Sequence, residues 1–368
     1  MDVRIWVAHA LTGIVAGELE AVSGTFTQKF GGGTASDLTI PLGHLTTPDG
    51  VNIDWNAVAR VVDWCLGGKY TLVLTAGTNV LGEWLMMKHP ESISDQTLAV
   101  SGMEWDGYPA LRSLHANYTY TNVDQLTIAK TLLEDAFIGW QTGFQITVPT
   151  VTSGVKRTAQ WRTREGYYSD ALDEIALPEN GFDWRVTHTG TWTGGALTKV
   201  TRTIRFGSPT IRTSTPIVIR YDGPGAPIDN CLTFEQEWDF HRYAHSVYAW
   251  GAGDGAKKLF YEAGNNTLPN QGYVKITKNL SYPSITNPDA LKALADADLQ
   301  ASQELRTPAQ SELLIDRLPQ IPALGDLMRV EIGPTWTIPH GYEGTMRIGE
   351  ISFPVNANRV ETVKVGAL

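Results

Sequence analysis

Phe182–Phe206 reads FDWRVTHTGTWTGGALTKVTRTIRF, two β-type runs, Phe182 to Thr193 and Leu197 to Phe206, about the turn Gly194-Gly195. Paired glycines supply the positive φ that a tight hairpin turn needs, so the stretch predicts a β-hairpin. Upstream, Ser169 to Ala176 carries Leu172 and Ile175 at helical spacing and stops before Pro178 and Asn180-Gly181, which predicts a short helix. Further back, Asn122 and Gln125 have capping-box spacing, and Leu126, Ala129, Leu133, Ala136 and Phe137 form an apolar stripe ending near Gly139. Residues 108–228 therefore read as an inserted α+β domain.

The flanks are strand-rich. In residues 1–107, Val3, Ile5 and Val7 alternate with Arg4 and Trp6, and Tyr70, Leu72 and Leu74 alternate with Thr71, Val73 and Thr75, the period of half-buried strands. Between them Asp54 is the expected N-cap of a helix whose Trp55, Val58, Ala59, Val62 and Leu66 share one face, stopped by Gly67-Gly68. After the turn signal Tyr221-Asp222-Gly223-Pro224-Gly225, residues 229–368 return to strands at Phe240 to Trp250 and Leu259 to Glu262. A helix at about 288–306 is expected from Asn287 as N-cap, Pro288, Asp289, and Leu291, Leu294, Ala297, Ala301 and Leu305 before Pro308. Met328, Val330 and Ile332 then alternate against Leu327, Arg329 and Glu331 as a strand. The fold class is mainly β (α+β), with three units at 1–107, 108–228 and 229–368.

Composition narrows the function. The net charge of −10 and the lack of a Lys/Arg block disfavour nucleic-acid binding. Met1-Asp2-Val3-Arg4 lacks the order of a signal peptide, and no run of about 18 apolar residues is present, so synthesis and folding in a cytoplasm are expected. Cys65 and Cys231 alone give no disulfide framework and read as buried thiols. Charged residues make up only 18% of the chain, which leaves surface free to be covered by neighbours.

The chemistry-bearing patterns each read more simply as structure. His241 and His245 have the i, i+4 spacing of a metal pair, but lie in a segment read as a strand, where they stand too far apart, and Arg242 occupies the place of the zincin Glu. Gly251 to Lys258 has glycines but not the Walker spacing, and Asp254 would repel a phosphate, so it reads as a turn. Asp173 with Glu174, and Asp296 with Asp298, sit on helix surfaces rather than across a cleft. Of the 12 Trp, Trp55 and Trp64 fall in a helix and Trp84, Trp105, Trp184 and Trp192 in or beside strands, where they fill cores or subunit contacts. No catalytic, cofactor-binding or metal-ligating residue is assigned, and no cofactor is expected.

Three stretches together resemble the baseplate hub, or minor tail, proteins of long-tailed phages, in the form found in actinobacterial siphophages. They are Thr97 to Arg112 with its Ser101-Gly102-Met103-Glu104-Trp105-Asp106-Gly107-Tyr108-Pro109, followed by the Asn122-to-Phe137 helix; the Ser169-to-Ala176 helix leading into Gly181-Phe182-Asp183-Trp184-Arg185-Val186; and His245 to Glu262 through Tyr282-Pro283 to the Asn287-to-Leu305 helix. They lie in this order between residues 97 and 305 and make up about a third of the chain. The resemblance implies two tail-tube-like β-barrel or sandwich domains per subunit, each with a flanking helix, and an inserted small α/β domain. It further implies a homotrimer forming a pseudo-sixfold ring at the tail tip of the virion. The implied partners are the distal tail protein, the tape measure protein and tail fibre or other minor tail proteins, with DNA passing an acidic lumen unbound. Because the chain stops at Leu368, appended lytic or receptor-binding domains are not expected. The competing expectations are a tail-associated glycan hydrolase and a carbohydrate-binding protein that contacts the host cell wall.

Overall fold

The computed structural model describes residues 1–48, 50–88, 96–139, 143–223, 229–236, 239–283, 285–303 and 309–368. The protein is mainly β. In its first part β1 (Arg4–His9), β2 (Val15–Leu19), β3 (Ser23–Lys29), β4 (Thr34–Pro41), β5 (Tyr70–Ala76), β6 (Asn79–Lys88) and β7 (Thr97–Glu104) pair antiparallel in the order β3-β4-β7-β6-β5-β1-β2. Ile5, Val7, Leu72, Leu74, Trp84 and Phe26 turn one face of this sheet into the core. The opposite face of β1 and β5 is buried as well, with Trp6, Ala8 and Val73 packed against Leu197 and Val200. The alternation that predicted half-buried strands is thus covered by a second layer.

Between β4 and β5 lies α1 (Trp55–Trp64), with Asp54 accepting hydrogen bonds from Asn56 N and Ala57 N. Its buried residues are Ala57 and Val61, continued by Cys65, while Trp55 is 74% exposed and Leu66 38%. The helix is rotated from its predicted face because Trp64 sits on Gly17, where an added Cβ would come within 2.1 Å of the indole.

The middle of the chain forms β8 (Tyr118–Asp124), α2 (Gln125–Phe137), β9 (Ile146–Thr147), β10 (Lys156–Trp161), α3 (Tyr168–Ala176), β11 (Asp183–Thr193) and β12 (Ala196–Gly207). The predicted hairpin is β11–β12, paired from Asp183↔Gly207 to Thr193↔Ala196 about Gly194 and Gly195, both at positive φ. Leu126, Ala129, Leu133, Ala136 and Phe137 are buried as the stripe predicts, against Tyr168, Leu172, Ile175 and Val186. The cap differs from the predicted one. Asp124, not Asn122, accepts from Leu126 N, and it also takes Ser153 N and Gly154 N, so it ties a loop to the helix start. Gln125 Nε2 instead reaches the Asn180 and Gly181 carbonyls.

The last part holds β13 (Thr213–Tyr221), β14 (Cys231–Glu235), β15 (Ser246–Trp250), β16 (Phe260–Gly264), β17 (Thr277–Ser281), α4 (Pro288–Ala301), β18 (Gln310–Leu314), β19 (Asp326–Ile332), β20 (Tyr342–Asn356) and β21 (Thr362–Ala367). Met328, Val330 and Ile332 face the core as their alternation predicts. The 15-residue β20 pairs β19 along its first half and both β21 and β3 along its second, with Phe353 opposite Phe26. Through this one strand the first and last parts of the chain become a single 13-stranded sheet over one shared core. β13, grouped by sequence with the middle segment, pairs in parallel with β19.

A three-stranded sheet, β16-β15-β17, branches off between β14 and β18 and is covered by α4. The strand predicted from Phe240 is shorter, because Asp239 accepts from His241 N and holds 240–242 as a 3₁₀ turn; pairing begins at Ser246. Asn287 caps α4 through Asp289 N as predicted, and the helix closes at Ala301. Leu305 and Pro308, and in the earlier turn signal Pro224 and Gly225, lie outside the described residues.

Candidate functional site

The most heavily built polar site lies where the β11–β12 hairpin meets β1, β5 and β6. Arg202, near the middle of β12, makes a bidentate pair with Glu83 of β6, Nε to Oε2 at 2.8 Å and Nη2 to Oε1 at 2.6 Å. Its Nη1 donates to the Ala10 carbonyl at 2.6 Å, and its guanidinium lies 4.7 Å over the Trp105 ring. Thr71 Oγ1 donates to Glu83 at 2.6 Å, and His188 Nε2 stands 3.4 Å from the other oxygen. Burial would push Glu83 up, but the Arg202 charge and hydrogen bonds, with His188 and Thr71, hold the carboxyl down at about 2. Burial lowers His188 to about 4 despite the attraction of Glu83, with Arg202 and Arg185 adding to the depression.

A second cluster joins the end of β7 to the same hairpin. Glu104 accepts from Lys29 N at 3.1 Å, Gly33 N at 3.0 Å and Gln28 Nε2 at 3.2 Å, with Arg185 Nη2 at 3.8 Å. Asp106 accepts from Val186 N at 2.6 Å. Burial raises both carboxyls, Asp106 further because Glu104 adds a like charge, while Arg185 opposes the shift. Glycine makes this approach possible: a Cβ on Gly32 would lie 2.7 Å from Gly107 Cα. The two clusters pin the hairpin to the sheet through buried, directional contacts, which suits a rigid joint. The Cys65 and Cys231 thiols are each pushed by burial up to about 12.

Beside this joint a cavity of about 520 Å³ is walled by Gln28, Arg185, His188, Arg205, Leu324 and Phe353 among others, so that all three parts of the chain contribute. Among the described residues that line it none is a carboxylate, so they do not supply the facing acid pair that glycoside hydrolysis requires. Three of the carboxylates singled out in sequence are engaged locally. Glu174 accepts from Trp161 Nε1, Asp296 from Lys292 and Asp298 from Tyr282 Oη. His241 lies in the 3₁₀ turn, and His245 Nδ1 is 2.6 Å from the Ile276 carbonyl. Among the described residues no group of three or more His, Cys, Asp or Glu is placed to hold a metal ion. The Gly251-to-Lys258 stretch is a turn between β15 and β16, with a 3₁₀ turn at 255–257.

Trp84 and Trp105 are core residues, and Trp192 packs edge-on to Trp6 with centroids 6.0 Å apart. The surface carries apolar side chains at loop tips. Trp336 is fully exposed between β19 and β20, in a loop ordered by Thr335 N to Ile338 O, Ile338 N to Thr335 Oγ1 and Gly341 N to Ile338 O, each at 3.0 Å. Val51 and Trp55 are about three quarters exposed at the start of α1. Sequence reasoning placed Trp55 on a buried face and did not single out Trp336. The buried Glu83, Arg202 and His188 were likewise missed, and Glu104, Asp106 and Arg185 were read only as parts of the resembling stretches, since each looks like a solvated charge in its own segment.

The fold is shared with solved tail proteins. Over 100% of this chain and 96% of the other, it is similar to the tail protein from Neisseria meningitidis MC58, with a TM-score of 0.59 at 10% identity. The 43 kDa tail protein of prophage MuSo2 from Shewanella oneidensis matches with a TM-score of 0.59 at 11% identity, over 99% of this chain and 98% of that one. A chain of the half-lidded Francisella PdpA-VgrG complex matches with a TM-score of 0.50 at 9% identity, over 99% of this chain and 57% of its own length. No family model and no curated protein sequence matches. Among the described residues no helix is long and apolar enough to cross a membrane.

Proposed function

We propose that this protein is a structural component of a phage tail tip, a baseplate hub that assembles as a homotrimer and closes or extends the tail tube. The observation that carries the reading is the pairing of β20 with β3, which fuses two strand-rich parts into one sheet within a fold shared end to end with solved tail proteins. One subunit then offers two neighbouring tube-like segments, and three subunits supply six. The three parts at 1–107, 108–228 and 229–368 serve as first tube-like unit, side decoration and second tube-like unit, with β13 at the end of the middle part joining the second tube-like unit through β19. Turning its strongest charges inward at a rigid joint suits a part that transmits load rather than turning over a substrate.

The role is non-enzymatic. Ordered, exposed tips such as Trp336 are the positions where neighbouring subunits, the distal tail protein, the tape measure protein and fibre or other minor tail proteins dock. The acidic balance of −10 lets DNA pass without adhering. Negative-stain imaging of the purified chain tests the reading: three-fold rings with a central opening support it, whereas two-fold or filamentous particles refute it.

A further inference from the structure

The small sheet β16-β15-β17 has two unlike faces. Val247, Ala249, Ala263 and Leu280 turn toward α4, with Leu291 and Ala295 closing the core. Register fixes what the other face carries. Phe260, Trp250 and Ser281 form one row, Glu262, Tyr248 and Asn279 the next, and Gly264, Ser246 and Thr277 the third. Three aromatic rings thus gather at one end of the face, and hydroxyl, amide and carboxylate groups occupy most of the rest.

The aromatic end is exposed: Trp250 is 37% and Phe260 47% accessible. Their centroids lie 4.6 Å apart with the rings tilted by 45°, and Tyr248 meets Phe260 edge-on at 5.8 Å. The rings therefore brace one another as a fixed platform, while Glu262, Asn279, Ser281 and Thr277 stand exposed beside them. In the third row Gly264 and Thr277 are exposed, whereas Ser246 between them is buried, so the open part of the face is its first two rows.

The chemistry of the face selects its occupant. A protein partner would be expected to require a broader apolar patch, whereas six of these nine positions are polar or glycine. Single-stranded nucleic acid combines stacking with a cationic track. Here Lys258 stands 5.9 Å from the Trp250 ring, Glu262 sits on the face itself, and the chain is acidic overall. A pyranose fits both halves, since its C–H face is apolar and its rim is a ring of hydroxyl donors and acceptors. We propose that this face binds a neutral glycan, with sugar rings lying on Trp250 and Phe260 and their hydroxyls bonding to Glu262, Asn279 and Ser281. The site stands on its own geometry and does not require that the protein form a ring.

The test is titration of the full chain with cellohexaose, maltohexaose and chitohexaose, followed by calorimetry and saturation-transfer NMR, with oligothymidine as a separate ligand. At least one hexasaccharide is expected to bind with a Kd of about 1 mM or tighter. Trp250→Ala should weaken that binding by about tenfold and Trp250→Phe far less. Asn279→Ala, on an edge strand and outside the apolar core, should weaken it by about threefold with the fold intact. Should Trp250→Ala fail to fold, the Asn279→Ala result decides. Absence of binding to all three sugars, unchanged affinity in the variants, or binding of oligothymidine in their place overturns the proposal.

Discussion

The joint between the β11–β12 hairpin and β6 and the branch made of β15–β17 with α4 are held by opposite means. The joint buries a bidentate Arg202–Glu83 pair, with the Thr71 hydroxyl and the Ala10 carbonyl satisfying the same groups. The branch buries a short list of small apolar side chains, Val247, Ala249, Ala263, Ile285, Leu291 and Ala295, and leaves its charges outside, as in the Lys292–Asp296 pair. A buried charge pair tolerates one arrangement only, because a missing partner leaves an uncompensated ion. A small apolar core is more forgiving, and it contributes less. The contrast explains why one region can serve as a rigid strut while the other presents a face.

The sharpest way to break the comparison is to remove one partner of the joint. Glu83→Ala should cost about 3–5 kcal/mol in denaturant unfolding, whereas the double change Glu83→Met with Arg202→Met should recover most of the loss, since no charge is then stranded. A double variant as damaged as the single would show that shape rather than charge holds the joint.

Acid should act on the same place. His188 falls to about 4 in the folded protein from an ordinary 6.5, so the unfolded chain takes up the proton first. Its contribution is complete above about 6.5 and is lost as the pH falls to about 4, a change of about 3 kcal/mol. Glu83, held at about 2 from 4.5, adds a further loss below about 4.5. Glu104 and Asp106 are raised and work the other way, favouring the fold at acid pH and losing that contribution as the pH rises through their folded values. On going from pH 7 to 4 the unfolding midpoint of the wild type should therefore shift downward relative to that of His188→Gln, which lacks this titration.

In the branch, Leu291→Ala should cost about 2–3 kcal/mol and act locally. Hydrogen exchange should rise in β15, β16 and α4 while α2 and β5 keep their protection; a uniform rise would mean that the branch is not a separate unit of stability. The smallest effect on folding belongs to Trp336→Ala, within about 0.5 kcal/mol because the side chain is fully exposed. Its effect should appear instead as weaker self-association on a sizing column.

Local patterns in the sequence carried much of the fold. The Gly194-Gly195 hairpin, the α2 stripe, the Asn287 cap and the alternation at Met328 to Ile332 rest on contacts within a few residues, and periodicity reports those contacts directly. What stayed hidden depends on partners far along the chain. Trp6 and Thr71 read as the wet side of a strand, because the hairpin that covers them lies more than a hundred residues later. Glu83 reads as a surface charge until Arg202 arrives beside it, and nothing near Phe26 announces Phe353. The face of α1 was misread because the core-facing side is set by Gly17, which admits the Trp64 ring.

The central claim is that this chain functions by closing a ring with copies of itself. Light scattering on a sizing column across rising protein concentration tests it most directly. The account predicts a species of three chain masses that gains population with concentration and whose three-fold shape is seen in images of the same fraction. A single chain mass at every concentration, together with absence of three-fold symmetry for the protein in assembled tails, would contradict it.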